Sequence, residues 1–588
     1  MKKSGLLFLM SILLFACNKS AKHFKLAIAE PLRHTTVDEI KDDLKRFAEK
    51  GYNAVYLEND YVTWTWEKDP DAGFGGNWKL FNIYDFTRSK NKAVYKKYLD
   101  EFCNAAGDAG LDVYMSFWIP KLNTEFEEDL NKNNPDAFGT YYWGGKYYKG
   151  LCMCDSGSGR KVLADLVEQF MREYPKVKGL KIGTIDNSAV VCDSSCKHAH
   201  GSSHADHVAN LYKTIQDAML RVRPDAKLIV YYWHWEDGYL QNVCSKLKKP
   251  FLVGCKVEKK TQQSLEPGIP GEPIWDASIL TEKVGADFME SIKYAGAENV
   301  IDMTPIGTGI DDFFIAAPSY PGRIYRRFKI LDSLGSPNFM DFECGAHHPG
   351  SGEEAVSLYN RKPDLSEEDF LKELAGIMYQ NPDARINAVK GWKAFDKGFG
   401  FLPVGLGNSG TKAMSGRFGM AWTMCLGTPM VQTAFTDTCE NKVHWFSPYN
   451  FFTTSLSPRI KTQFMKVLPC WIEGSACLSA ADSLEGHTQF SSREALVTKA
   501  QVIALRSALN WCEAALAAKE INRFRELCKN EIEITRSFTG LINKDTWVWD
   551  NNCWHPHQTL ISQLGLGYLP SDRNTFDAKF RIMNEKLK

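Results

Sequence analysis

The chain has 588 residues, enough for about two or three domains. Its 71 Lys+Arg balance 71 Asp+Glu, so the formal net charge is zero and nothing supports a polyanion such as nucleic acid as partner. A hydrophobic content of 44% excludes a disordered chain, and 16 Trp, 23 Tyr and 34 Phe supply rings that line carbohydrate clefts as well as large cores.

In chain order, Lys2 and Lys3, the apolar run from Gly5 to Phe15 and then Leu14-Phe15-Ala16-Cys17 read as an export signal over residues 1–17. The run is too short to cross a bilayer core of about 30 Å as a helix. Cys17 after Leu-Phe-Ala resembles the bacterial lipobox, which implies lipidation at Cys17 and membrane contact through the lipid anchor only. The expected location is the outer membrane of a Gram-negative bacterium. Asn18-Lys19-Ser20-Ala21-Lys22 carries no acidic run, so the periplasmic face and the cell surface both stay open. Of 16 cysteines, those beyond Cys17 are odd in number, so at least one stays outside any intrachain disulfide.

From residue 24 onward, apolar runs alternate with helical patterns, the mark of βα units. Strands are predicted at Lys25–Ala29, Ala54–Leu57, Asp112–Phe117, Gly179–Gly183, Lys227–Tyr231, Phe251–Cys255, Asn299–Met303 and Asn338–Phe342. Helices are predicted between them at Val37–Lys50, Asn91–Ala109, Gly159–Tyr174, His204–Arg223, Tyr239–Lys246, Leu280–Ala295 and Tyr320–Leu334, several stopping at glycine, as at Gly51, Gly110 and Gly335. Eight such strands predict an α/β fold, a (β/α)8 TIM barrel over residues 24–350, with an open doubly wound sheet as competitor. Beyond Gly350 the pattern is helical, with Leu365–Gln380, Ala384–Asp396, Ser457–Val467, Ala495–Ala518 and Ile521–Ile542 broken by an aromatic, Gly-rich stretch at Phe399–Phe452. A mostly helical C-terminal domain is therefore expected over 352–588. No low-complexity linker precedes it, so it should pack directly on the barrel.

In a barrel of this type, catalytic side chains come from the C-terminal strand ends. Those positions hold Glu58 and Asp60, Trp118, Asp186 with Asn187, His234 to Asp237, Glu258, Asp302, Asp311 and Asp312, then Glu343, His347 and His348. Carboxylates and Trp rings around one mouth suit glycoside hydrolysis, in which two carboxyl groups flank the scissile bond and rings stack on sugar faces. Trp235 and Asp237 flank Glu236 in a setting that would raise its pKa, which fits the acid. Glu258 or Glu343 is the expected base or nucleophile, and Asp186 orients substrate. Glu58, Trp118, Asn187, His234, Trp235, Asp237 and His347 are the expected sugar contacts. Phosphate-binding loops, nucleophile elbows and a His-x-His after the first strand are missing.

That chemistry needs no cofactor. Cys192 and Cys196, followed by His198, His200, His204 and His207, are nevertheless compatible with a structural zinc site, completed by Cys152 and Cys154. Disulfides, favoured by export, and a solvated His-rich loop are equally open readings.

The run Ile182-Gly183-Thr184-Ile185-Asp186-Asn187 with Cys192 and Cys196, followed by His204–Arg223 and Lys227–Trp235, resembles the barrel segment of a bacterial group related to the α-glucuronidases and to certain endo-β-N-acetylglucosaminidases. Leu151-Cys152 before a helix, and Glu531-Ile532 with Thr535-Arg536 near the C-terminus, are similar to the same barrels and their helical partner domain. The resemblance implies a glycosidase acting on complex oligosaccharides. It departs at Asn187, where the α-glucuronidases carry Glu, so no acid role transfers to that position. A glycan-binding lipoprotein without catalysis is the alternative, and a carboxylate pair facing the cleft would separate the two.

Overall fold

The computed structural model describes residues 26–29, 37–57, 82–118, 122, 124–143, 146–184, 191–232, 235, 237–257, 261, 282–304, 319–341, 350–401, 457–517, 519–542, 584 and 587. Eight parallel strands form the centre: β1 (Ala27–Ala29), β2 (Ala54–Leu57), β3 (Asp112–Trp118), β6 (Val177–Gly183), β7 (Lys227–Tyr231), β8 (Leu252–Cys255), β9 (Val300–Thr304) and β10 (Asn338–Asp341). An antiparallel pair, β4 (Phe138–Trp143) and β5 (Lys146–Leu151), is inserted after β3. The central strands pair in chain order, β3 with β6. Because β1 pairs with both β2 and β10, with Ile28 opposite Ala54 and Ala27 opposite Phe339, the hydrogen-bonded neighbours run round a ring. All eight begin and end within two residues of their expected limits.

The strands are continuous apolar runs because both faces of the curled sheet are covered. Val55, Leu57, Val113, Phe117, Leu180, Ile182 and Val230 point outward into the core shared with the helices. The alternate positions, among them Tyr56, Tyr114, Ile229, Tyr231, Met303 and Met340, are equally buried but face the inside of the sheet.

The outer layer consists of α1 (Val37–Glu49), α2 (Ile83–Thr87), α3 (Lys92–Asp108), α4 (Thr124–Asn133), α5 (Gly159–Glu173), α6 (His204–Val222), α7 (Tyr239–Lys246), α8 (Ala286–Ala295), α9 (Pro321–Ser333) and α10 (Ser351–Arg361). Gly51 and Gly335, read as stop signals after α1 and α9, hold φ of +97° and +67°, values that residues with a Cβ rarely adopt. The helix expected over Leu280–Ala295 begins only at Ala286, and α2, α4, α10 and the hairpin were not expected. Helix α10 packs against the first helix, with Arg46 Nε 2.9 Å from Glu353 Oε1 and Lys50 bonded to Glu354.

The remaining helices are α11 (Glu367–Met378), α12 (Pro382–Phe399), α13 (Ser457–Glu485), α14 (Gln489–Leu516) and α15 (Ile521–Ile542). Helix α13 runs through Pro469, where the pattern had suggested an end at Val467. Its register is held by packing: Trp471 lies against Phe395 and Phe399, with ring centroids 5.6 and 5.2 Å away, and Gly391 meets Gly474 at a crossing too close for a Cβ. The helical region docks on α9 through ions. Arg326 bonds Glu282, Glu367 and Asp396, and Arg323 Nε lies 2.6 Å from Asp396 Oδ1. Inside the junction, the buried Glu494 of α14 accepts hydrogen bonds from Trp392 Nε1 (2.8 Å), Ser319 Oγ (3.2 Å) and the Tyr379 hydroxyl. Among the described residues no helix is long and apolar enough to cross a membrane.

Candidate active site

Parallel strands all leave the sheet at the same rim, so the loops after them share one mouth. Beneath that rim the interior holds polar and aromatic groups beside the aliphatic Ile229, Met303 and Met340. Lys181, fully buried in the middle of β6, places its ammonium 4.4 Å from the ring centre of Tyr56 and 5.1 Å from that of Tyr231. Strand β3 separates β2 from β6, so this contact between β2, β6 and β7 passes through the inside of the sheet. Ser116 and Lys256 are buried close to the ends of β3 and β8. Burial raises the Tyr114 phenol well above its ordinary value, so it stays protonated and able to donate. None of these interior side chains was a sequence candidate. The available signal was alternation: Gly179, Lys181 and Gly183 fall on one face of a strand whose other face is Leu180 and Ile182.

The expected acids and sugar contacts Glu58, Asp186, Asn187, His234, Glu236, Glu258, Glu343 and His347 lie outside the described residues, as does Cys17. Trp118 closes β3 opposite Gly183. Asp237 is exposed. Trp235, expected to stack on sugar, is instead a core residue at 2% exposure: its ring packs 5.4 Å from both Tyr212 and Tyr232, and its Nε1 donates to Thr184 Oγ1 at 2.9 Å. Tyr231, the last residue of β7, faces the inside of the sheet, whereas Trp235 lies beyond the strand end, so alternation does not govern its direction. Asp302, read as a rim carboxylate, also faces outward. It is fully buried, accepts Arg327 Nε at 2.8 Å and takes the Val257 amide at 3.0 Å.

The loops after β3 and β6 meet around four cysteines. The β4–β5 hairpin pairs Trp143 with Lys146, leaving a two-residue connection, Gly144-Gly145, whose flanking aromatic strands are the signal that could have found it. Cys152 and Cys154 follow this hairpin, and Cys192 and Cys196 come from the next loop; all four are buried and unbridged. Their sulfurs all lie within 4.8 Å of one another, with Cys152 to Cys196 at 3.7 Å and Cys154 to Cys192 at 3.6 Å. Asp193 ties the two loops together: it accepts the Tyr142 amide at 2.7 Å and the Ser195 amide at 2.8 Å, while its own amide donates to Thr140 at 3.0 Å. A hydrogen bond from Cys192, helped by the Cys154 amide and His198, pulls the Cys152 thiol down to about 4 against the cost of burial. Cys154 is pushed up by burial and the Cys152 charge, and Cys192 by its bond to Cys152 and by burial.

No family model matches the chain, and no curated protein matches it. Among solved structures, it resembles a family 138 glycoside hydrolase targeting pectin rhamnogalacturonan II, with 12% identity over 96% of this chain and 68% of that one and a TM-score of 0.58. An O-GlcNAc hydrolase of Thermobaculum terrenum matches over 96% of this chain and 95% of that one, at 9% identity and a TM-score of 0.39. A family 5 glycoside hydrolase of Prevotella bryantii B14 matches over 58% and 97%, at 11% and 0.34. The match at a TM-score of 0.58 shows the fold shared with that family 138 enzyme: a curled parallel sheet wrapped in helices, with a helical region after it.

Proposed function

We propose that the ring of strands is a complete (β/α)8 barrel and that the chain is a glycoside hydrolase acting on complex oligosaccharides through a pair of carboxyl groups. The observation that carries this reading is the position of the carboxylates relative to the strand ends. Glu58 is one residue beyond Leu57, Asp186 three beyond Gly183, Glu258 three beyond Cys255 and Glu343 two beyond Asp341, while Glu236 is five beyond Tyr231. At about 3.3–3.6 Å of reach per residue, Glu58, Asp186, Glu258 and Glu343 stay within about 12 Å of their strand ends on the same rim. The structural neighbour at a TM-score of 0.58, a glycoside hydrolase that targets pectin rhamnogalacturonan II, supports a carbohydrate substrate.

In this reading Glu236 is the acid, Glu258 or Glu343 its partner, and Asp186 orients the sugar. The test is kinetic. Glu236→Gln should lower kcat by about 10²–10⁴ on glycans with poor leaving groups and far less on activated aryl glycosides, which need little protonation. Unchanged glycan turnover in that variant removes Glu236 from the chemistry. Glycan binding by the wild type without any product would replace the hydrolase by the binding-protein reading. We further infer that Cys17 carries the lipid. The full-length protein should partition into detergent, and Cys17→Ser should shift it to the aqueous phase; equal partitioning of both defeats the anchor.

A further inference from the structure

The four cysteines between the third and fourth strand-to-helix loops are outside the proposed sugar chemistry, and their geometry points to a ligand. A tetrahedral zinc–thiolate centre has bonds of about 2.3 Å, which place its sulfurs about 3.8 Å apart. Two of the pairs, Cys152–Cys196 at 3.7 Å and Cys154–Cys192 at 3.6 Å, match that edge, and all the separations stay within 4.8 Å. A disulfide needs its sulfurs at about 2.0 Å and gives no reason for four of them to gather round one point.

The surroundings treat the sulfurs as hydrogen-bond acceptors. The Met153 amide donates to Cys192 Sγ at 3.1 Å, and His198 Nδ1 and His207 Nδ1 lie 3.5 Å from Cys152 and Cys192. His207 is not itself a ligand. Its Nδ1 is 2.5 Å from the Cys192 carbonyl, which requires a proton there, and its Nε2 is 2.6 Å from Ser202 Oγ, so both nitrogens already have partners. Space around the centre is reserved by glycine. A Cβ on Gly139 would stand 2.6 Å from Cys192 Cβ, and one on Gly157 would stand 2.3 Å from Cys152 Sγ.

We propose that Cys152, Cys154, Cys192 and Cys196 bind one structural Zn2+, which clamps the hairpin carrying the exposed Tyr142 and Tyr147 to the loop that follows β6. Four thiolate ligands leave no open position for water or substrate, so the ion holds the mouth in shape and takes no part in bond cleavage.

The test uses the full chain, purified without added metal or reductant. Metal analysis should find about one zinc per chain, and Cys192→Ala should lower this at least about tenfold, as expected when one of four thiolates is lost. Cys103→Ser, which removes a buried cysteine elsewhere, should leave the zinc in place. Denaturation with chelator, still without reductant, should make all four cysteines available to alkylation, and replacement of zinc by cobalt should give the thiolate charge-transfer bands of a tetrahedral centre. If the Cys192 variant fails to fold, the wild-type metal content and alkylation decide alone. Absence of zinc together with resistance of these cysteines to alkylation until reduction overturns the proposal in favour of disulfides, and stoichiometric iron in place of zinc overturns the choice of metal.

Discussion

Asp302 is the candidate for which sequence and structure make opposite forecasts. As a rim carboxylate it would matter to turnover; as a clamp between β9 and α9 it should matter to folding. Its carboxylate is fully buried, 2.8 Å from the Nε of Arg327, itself 2% exposed, and its other oxygen caps the Val257 amide at 3.0 Å. Asp302→Asn can keep the Val257 bond but leaves a buried guanidinium facing a neutral amide, which costs about 3–5 kcal/mol for a pair of this kind. Arg327→Met should cost a similar amount by removing the carboxylate's cation. The double variant should be no worse than either single one, because each charge then disappears with its partner. Urea m-values grow with chain size beyond the about 3 kcal/mol/M of small proteins, so each single variant moves the urea midpoint down by about 0.5–1 M, measurable by circular dichroism. Losses below about 1 kcal/mol, the range of exposed pairs, or strictly additive effects would refute the argument. So would a folded Asp302→Asn protein of unchanged stability whose glycan turnover is abolished.

Burial pushes the Glu494 carboxyl above its usual range despite the bonds from Tyr379, Trp392 and Ser319. The native state therefore holds this proton to higher pH than the unfolded chain, and stability falls as pH rises from the ordinary glutamate value through the native one. Glu494→Gln should be less stable than wild type in acid, where its second N–H faces other donors, and the gap should narrow as pH rises through that window. A pH-independent gap in unfolding midpoints would contradict this. Gly139→Ala forces a Cβ to 3.1 Å from the Cys152 backbone and 2.6 Å from Cys192 Cβ, an overpacking worth about 1–3 kcal/mol. The expected result is faster protease cleavage within the β4–β5 hairpin, and wild-type resistance would show that the cluster accommodates the methyl.

The sequence alone determined the central sheet, because each strand is a short apolar run whose burial on both faces leaves no other period in the pattern. It also marked Cys192 and Cys196, and named Cys152 and Cys154 as their partners, since cysteine spacing is local information. It did not determine which face of a strand looks to the inside of the curled sheet. Trp235 and Asp302 looked like cleft residues from their place near strand ends, yet pack into the outer layer, while Lys181, hidden in an apolar run, points inside. Nor could it place α10 or carry α13 past Pro469, since both depend on partners far along the chain: Arg46 and Lys50 for the first, Phe395 and Phe399 for the second. Local pattern reports how a segment buries its apolar side chains. Only the packing of strands and helices against one another decides what each buried group meets, because those partners lie up to hundreds of residues away.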